Sequence, residues 1–206
     1  MTIYLFNEQC KSKIDFVQKN MLPNIDRSYK IESEKNIELL LNKELFLIDI
    51  FNTFIQPIVT IEDDITLERG GMIEFMKLRE PRLGFNEFIE YYYTCGKKIG
   101  IHSDAIYKKD FEVIRKMWKF DQYLTRYFDP RYVQKVDIFK GLDERNYVKD
   151  FDEMIRESNI SKEKTLIIGD GLGDIIPAKA FNIDLLLVPT FNVDLNFDYR
   201  CLIPKK

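Results

Sequence analysis

Apolar residues in this chain follow two rhythms that alternate along its length. Short, nearly unbroken apolar runs at 45–50, 98–103, 165–168 and 185–188 read as strands buried on both faces, where no polar alternation is needed. Helical spacing appears at 85–93, 109–118, 147–158 and 175–181. In the third of these, Val148, Phe151, Met154 and Ile155 make the inward face. A weaker strand signal covers 133–139. Strands alternating with helices predict a parallel α/β sheet with right-handed crossovers.

The first 44 residues read differently, as a helical N-terminal extension preceding a core over 45–206. Ile14, Val17 and Met21, with Phe16 beside them, mark one helical face that Pro23 ends. A second short helix is expected over 34–41, stopping near Asn42. After the first strand comes a polar, irregular stretch containing Pro57, Glu62-Asp63-Asp64 and Gly70-Gly71. It is too short for an inserted domain and predicts a flap near 54–70. The tail from Pro189 is rich in aromatics and is expected to pack back on the body.

Composition narrows the class. With 206 residues, 45% hydrophobic and 32% charged, the chain suits one globular domain with a sizeable core. A net charge of -3 supplies no basic footprint for nucleic acid, although a local patch stays open. No apolar run approaches the roughly 18 residues of a membrane span. Cys10, Cys95 and Cys201 are odd in number, far apart and without metal-ligand spacing, so they read as reduced thiols. The expectation is a cytoplasmic protein.

Two of the strand runs end in carboxylates: Leu45 to Asp49, and Leu166 to Gly169 followed by Asp170 and Asp174. Parallel strands deliver their C-terminal residues to the sheet edge where ligands bind. Clustered carboxylates repel unless a cation separates them, and oxygen ligands suit Mg2+. The bland alternative is that Asp170 and Asp174 cap the helix that follows them.

Four segments in order carry a family likeness. They are Asp49-Ile50-Phe51-Asn52-Thr53; Ile99-Gly100-Ile101-His102-Ser103; Lys149 in Tyr147-Val148-Lys149-Asp150; and Gly169-Asp170-Gly171-Leu172-Gly173-Asp174. The set resembles the motifs of haloacid dehalogenase-like phosphatases. The resemblance implies a Rossmannoid three-layer sandwich with a mainly parallel central sheet and a minimal cap. It also implies Asp49 as nucleophile, forming an aspartyl-phosphate, and Mg2+ held by Asp49, the Phe51 carbonyl, Asp170 and Asp174. Ser103 and Thr53 would bind phosphate, and Lys149 would offset negative charge, with Lys135 and Lys140 as competing lysines. His102, the only histidine, reads as a packed strand residue.

Phe51 departs from the pattern. The resemblance implies a second aspartate there as proton donor, and losing such a group costs about 10²–10⁴-fold. The expected function is Mg2+-dependent hydrolysis of a phosphate monoester, with macromolecular phosphorylated substrates included. One alternative is a catalytically weak phosphate- or partner-binding protein. A dehalogenase-like hydrolase comes third, because such enzymes work without the metal-type segment at 169–174.

Overall fold

The run Leu45–Asp49 (β3) is buried at every position, and so is Thr165–Gly169 (β10). The two strands lie side by side in parallel, with Ile168 opposite Ile48, at the centre of the computed structural model. That structure describes residues 2–5, 10, 29–31, 33–57, 71, 73–103, 108–114, 116, 118, 121–123, 126–128, 132–134, 147–189 and 196–205.

Around this pair the described elements follow in chain order. Ile3–Leu5 (β1), Tyr29–Ile31 (β2) and Ser33–Asn42 (α1) precede β3. Ile55–Pro57 (β4), Arg79–Pro81 (β5), Phe85–Thr94 (α2), Lys98–His102 (β6) and Lys108–Ile114 (α3) come next. Then follow Arg126–Phe128 (β7), Tyr132–Gln134 (β8), Tyr147–Lys149 (β9), Phe151–Ser158 (α4), Leu172–Phe181 (α5) and Asp184–Leu187 (β11). The main sheet has the order β2-β1-β11-β10-β3-β6-β7, and every neighbouring pair is parallel.

Alternation along β3 builds the layers. Phe46 and Ile48 face a core completed by α1, α2 and the C-terminal residues Phe197, Tyr199 and Leu202. Leu45 and Leu47 face the opposite core with Phe151, Met154 and Ile155 of α4 and Ile175, Ala178 and Phe181 of α5. The α2 face repeats at Phe85, Phe88, Ile89 and Tyr92, the stripe an amphipathic helix needs. This is the parallel α/β sheet expected of the alternating pattern, in the three-layer form that the family resemblance implies.

Several elements differ from their sequence reading. Strands β1 and β2, in the segment read as a helical extension, extend the sheet beyond β11. Three-residue strands are too short to show a pattern of their own. The helix expected from the face of Ile14, Val17 and Met21 lies outside the described residues. β4 pairs antiparallel with β5, and residues 73–77 are helical between them. Residues 58–70 of the expected flap lie outside the described residues, as do Lys135 and Lys140.

The clearest correction concerns Lys149. The helix expected over 147–158 begins only at Phe151, because the Asp150 carboxylate accepts from the Glu153 amide at 3.1 Å and caps it there. Tyr147–Lys149 is instead a strand, paired antiparallel with β8. The weak signal at 133–139 corresponds to β8 in its described part. Among the described residues no helix is long and apolar enough to cross a membrane.

Candidate active site

Register brings the chemistry to one edge. Asp49 ends β3 opposite His102 of β6, so Ser103 follows immediately beside it. Gly169 ends β10, whose Ile168 is level with Ile48, so Asp170 emerges next to Asp49. Lys149 ends β9, which lies against α5. All seven sequence candidates lie at this C-terminal edge or in the segments next to it. Asp49, Thr53, Ser103, Lys149, Asp170 and Asp174 are buried, while Phe51 is half-buried.

The Lys149 ammonium joins two acidic groups. Its Nζ donates to Asp49 Oδ1 at 3.0 Å and to Asp174 Oδ1 at 2.8 Å. The other Asp49 oxygen faces a different partner set. Thr53 Oγ1 lies 3.4 Å from Asp49 Oδ2 and 3.2 Å from Asp170 Oδ1, and its single hydrogen serves one or the other. The nucleophile candidate therefore has one oxygen turned to a cation and one turned toward the second carboxylate. Asp174 is further held by the Asp170 amide, which donates to its Oδ2 at 3.3 Å. A side chain at Gly169 would collide with that Asp174 carboxylate, so glycine permits the close approach.

His102 lies beneath Asp49, with Nδ1 3.7 Å from Oδ1, too long for a hydrogen bond. Its ring meets Phe151 edge-on. Burial, then the Lys149 charge, hold its pKa well below the usual 6.5, so the imidazole is neutral. The packed-strand reading of His102 describes this placement, though its contact with the site went unforeseen.

Phe51 turns its ring to Phe75, centroids 5.8 Å apart, and joins the apolar core on the flap side. The following Asn52 has φ 56, a left-handed turn that asparagine tolerates better than most residues. Two residues that sequence reasoning missed brace this turn. Arg82 donates to the Asn52 carbonyl at 3.0 Å, and Tyr199 donates to the Thr53 carbonyl at 2.7 Å. The aromatic composition of the tail signals packing alone, because no side-chain pattern announces bonds to main-chain carbonyls.

The donor set fits a hard divalent cation. Asp49, Asp170 and Asp174 bring three carboxylates together, with the Lys149 ammonium bonded to two of them, and oxygen ligands favour Mg2+-type ions. Ligand atoms of Asp49, His102 and Asp174 lie within 4.8 Å of one another. That trio, however, shares the side of Asp49 already bonded by Lys149.

No family model matches this chain, and no curated protein matches it in sequence. Solved structures do match it in shape. A predicted phosphoglycolate phosphatase from Haemophilus somnus is 9% identical, with 74% of this chain and 92% of that one covered at a TM-score of 0.52. A haloacid dehalogenase-like family hydrolase from Streptococcus pneumoniae is 10% identical over 77% and 91%, at 0.50. A protein of Clostridium difficile, described provisionally as a phosphatase, is 15% identical over 76% and 99%, also at 0.50. At such identities the likeness establishes the fold.

Proposed function

Starting from the haloacid dehalogenase-like fold of this chain, we propose that it is a phosphatase-type hydrolase, dependent on Mg2+, that works through an aspartyl-phosphate on Asp49. The observation carrying the proposal is the division of the Asp49 carboxylate between Lys149 on Oδ1 and Thr53 with Asp170 on the Oδ2 side. A carboxylate paired with a buried ammonium stays ionised, as a nucleophile must.

One oxygen of Asp49 attacks phosphorus, an O–P bond forms as the bond to the leaving oxygen breaks, and that oxygen departs with the electron pair and takes its proton from solvent water. Water then hydrolyses the acyl phosphate and restores the carboxylate. Lys149 stays within reach of both Asp49 and Asp174 and offsets charge that shifts toward the phosphoryl group. Thr53 and Ser103 bind phosphoryl oxygens. Asp49, the Phe51 carbonyl and Asp170 would hold Mg2+, with Asp174 close by; when bound, the ion supplies positive charge that lets a phosphate dianion approach this acidic edge.

The Phe51–Phe75 packing favours a second reading, in which the site binds phosphate and turns over slowly. An aromatic ring neither protonates a leaving alkoxide nor activates water. The substrate in either reading is a phosphorylated molecule. Hydrolysis of p-nitrophenyl phosphate with and without Mg2+ tests the first reading, since it predicts metal-dependent turnover that Asp49→Asn abolishes. Activity that survives Asp49→Asn would reject it. Phe51→Asp separates the two: a large gain in turnover favours the binder, and no gain favours an enzyme whose substrates leave readily.

A further inference from the structure

The carbonyl groups of the nucleophile loop are clamped from behind by residues far away in sequence. Arg82 Nη1 donates to Asn52 O at 3.0 Å, to Thr53 O at 3.4 Å and to Pro189 O at 2.6 Å. The Arg82 amide also donates to Phe54 O at 2.7 Å. Tyr199 adds its hydroxyl to Thr53 O at 2.7 Å. Arg82 is 2% exposed and Tyr199 0%. Removing a guanidinium from water is costly unless its donors are well used. Here they are used on main-chain oxygens that tie the loop to the end of β11.

The C-terminal segment is itself firmly seated. The Tyr199 ring packs edge-on to Phe85 and Phe197, and its amide donates to Leu83 O at 2.9 Å. The Phe197 ring faces the Arg82 guanidinium, 4.9 Å from its centroid. Tyr92 holds the far end by donating to Leu202 O at 2.7 Å. A side chain at Gly84 would collide with Asp198 and Arg200, so the segment approaches the backbone there as closely as glycine allows. Burial raises the Tyr199 pKa, the Arg82 charge opposes that rise, and the Asp170 and Asp49 charges add to it.

From this arrangement we infer that Arg82 and Tyr199 are positioning residues for the nucleophile loop, so that the docked C-terminal segment sets the competence of the site. The left-handed Asn52, a conformation asparagine adopts readily, has its own carbonyl and that of Thr53 held by the clamp. The same turn points Thr53 Oγ1 at both Asp49 and Asp170. The consequence for turnover rests on the phosphatase reading; the consequence for the loop does not.

Amide hydrogen exchange reads the loop directly. The Phe54 and Ile55 amides both donate to Ile50 O, at 3.2 and 3.3 Å, and close the turn. Tyr199→Phe keeps the ring and removes only the hydroxyl; Arg82→Lys keeps a charge and loses the fork. Each is expected to speed exchange at Phe54 and Ile55 about 10-fold, the effect of losing one typical hydrogen bond. Tyr92→Phe, which loses a comparable phenol bond away from the loop, should leave those two amides unchanged. Exchange at wild-type rates in Tyr199→Phe and Arg82→Lys would overturn the inference. In parallel, binding of Mg2+ with beryllofluoride, followed by fluorine NMR, should weaken about 10-fold in Tyr199→Phe if the loop holds the phosphoryl site. A wild-type protein that binds no beryllofluoride rejects the phosphatase reading, and the exchange rates still decide the clamp.

Discussion

Lys149 and Asp49 are 100 positions apart in sequence, yet the lysine Nζ lies 3.0 Å from the aspartate Oδ1 in a buried site. The same ammonium bonds Asp174 at 2.8 Å, so it pairs with two buried carboxylates. Removing one partner of a buried ion pair leaves uncompensated charge and costs about 3–5 kcal/mol. Lys149→Met should therefore lower stability by that order in metal-free buffer, with Mg2+ restoring part of the loss. Urea denaturation with chelator and with Mg2+ measures both, and equal stability of the variant and wild type without metal would contradict the pairing.

Metal binding should be visible without turnover. A ligand that binds the folded state alone stabilises it by about 2.7 kcal/mol at 100 times its dissociation constant. Wild-type protein should show a rise in melting temperature with Mg2+, and Asp170→Asn should remove most of it. A full Mg2+-induced shift in Asp170→Asn would mean that Asp170 does not hold the ion.

His102 supplies a pH dependence of known sign. Its pKa is held below the usual 6.5 by burial and the Lys149 charge, so the unfolded chain takes up a proton that the folded one resists. Its share of stability is complete above pH 6.5 and is lost as pH falls toward the folded pKa, at up to about 1.4 kcal/mol per pH unit. The chain has one histidine, so a decline beginning near pH 6.5 reports this group. Metal-free His102→Gln should lack it in a comparison of denaturation at pH 7 and pH 5.5.

Gly169 is constrained by contact. A methyl group there would collide with the Asp174 carboxylate. Gly169→Ala should push Asp174 away from Lys149 and cost about 1–3 kcal/mol through overpacking. Thermal unfolding and phosphatase kinetics on the same sample should fall together; unchanged kinetics would mean that Asp174 has no part in the site.

The sequence made some of this legible and hid the rest for physical reasons. Asp49 and Asp170 could be found because each follows a fully apolar run, which is how a buried parallel strand announces its end. Lys149 was singled out, but on a helix, because Val148, Phe151, Met154 and Ile155 carry a helical rhythm across a boundary. Asp150 sets that boundary by capping at Glu153. Strands β1, β2 and β7 have three residues each, too few to show a period. Arg82 and Tyr199 were invisible for another reason: their bonds go to carbonyl oxygens, which every residue possesses. Phe51 was visible as a departure, and its packing on Phe75 gives that departure a structural setting.

The most direct measurement is a crystal structure with Mg2+ and beryllofluoride. Beryllofluoride is expected on an Asp49 carboxylate oxygen. One Mg2+ is expected at about 2.1 Å from ligands including Asp49, Asp170 and the Phe51 carbonyl, with Lys149 still bonded between Asp49 and Asp174. An ion held instead by Asp49, His102 and Asp174 with Lys149 displaced, or beryllofluoride bound away from Asp49, would contradict this assignment.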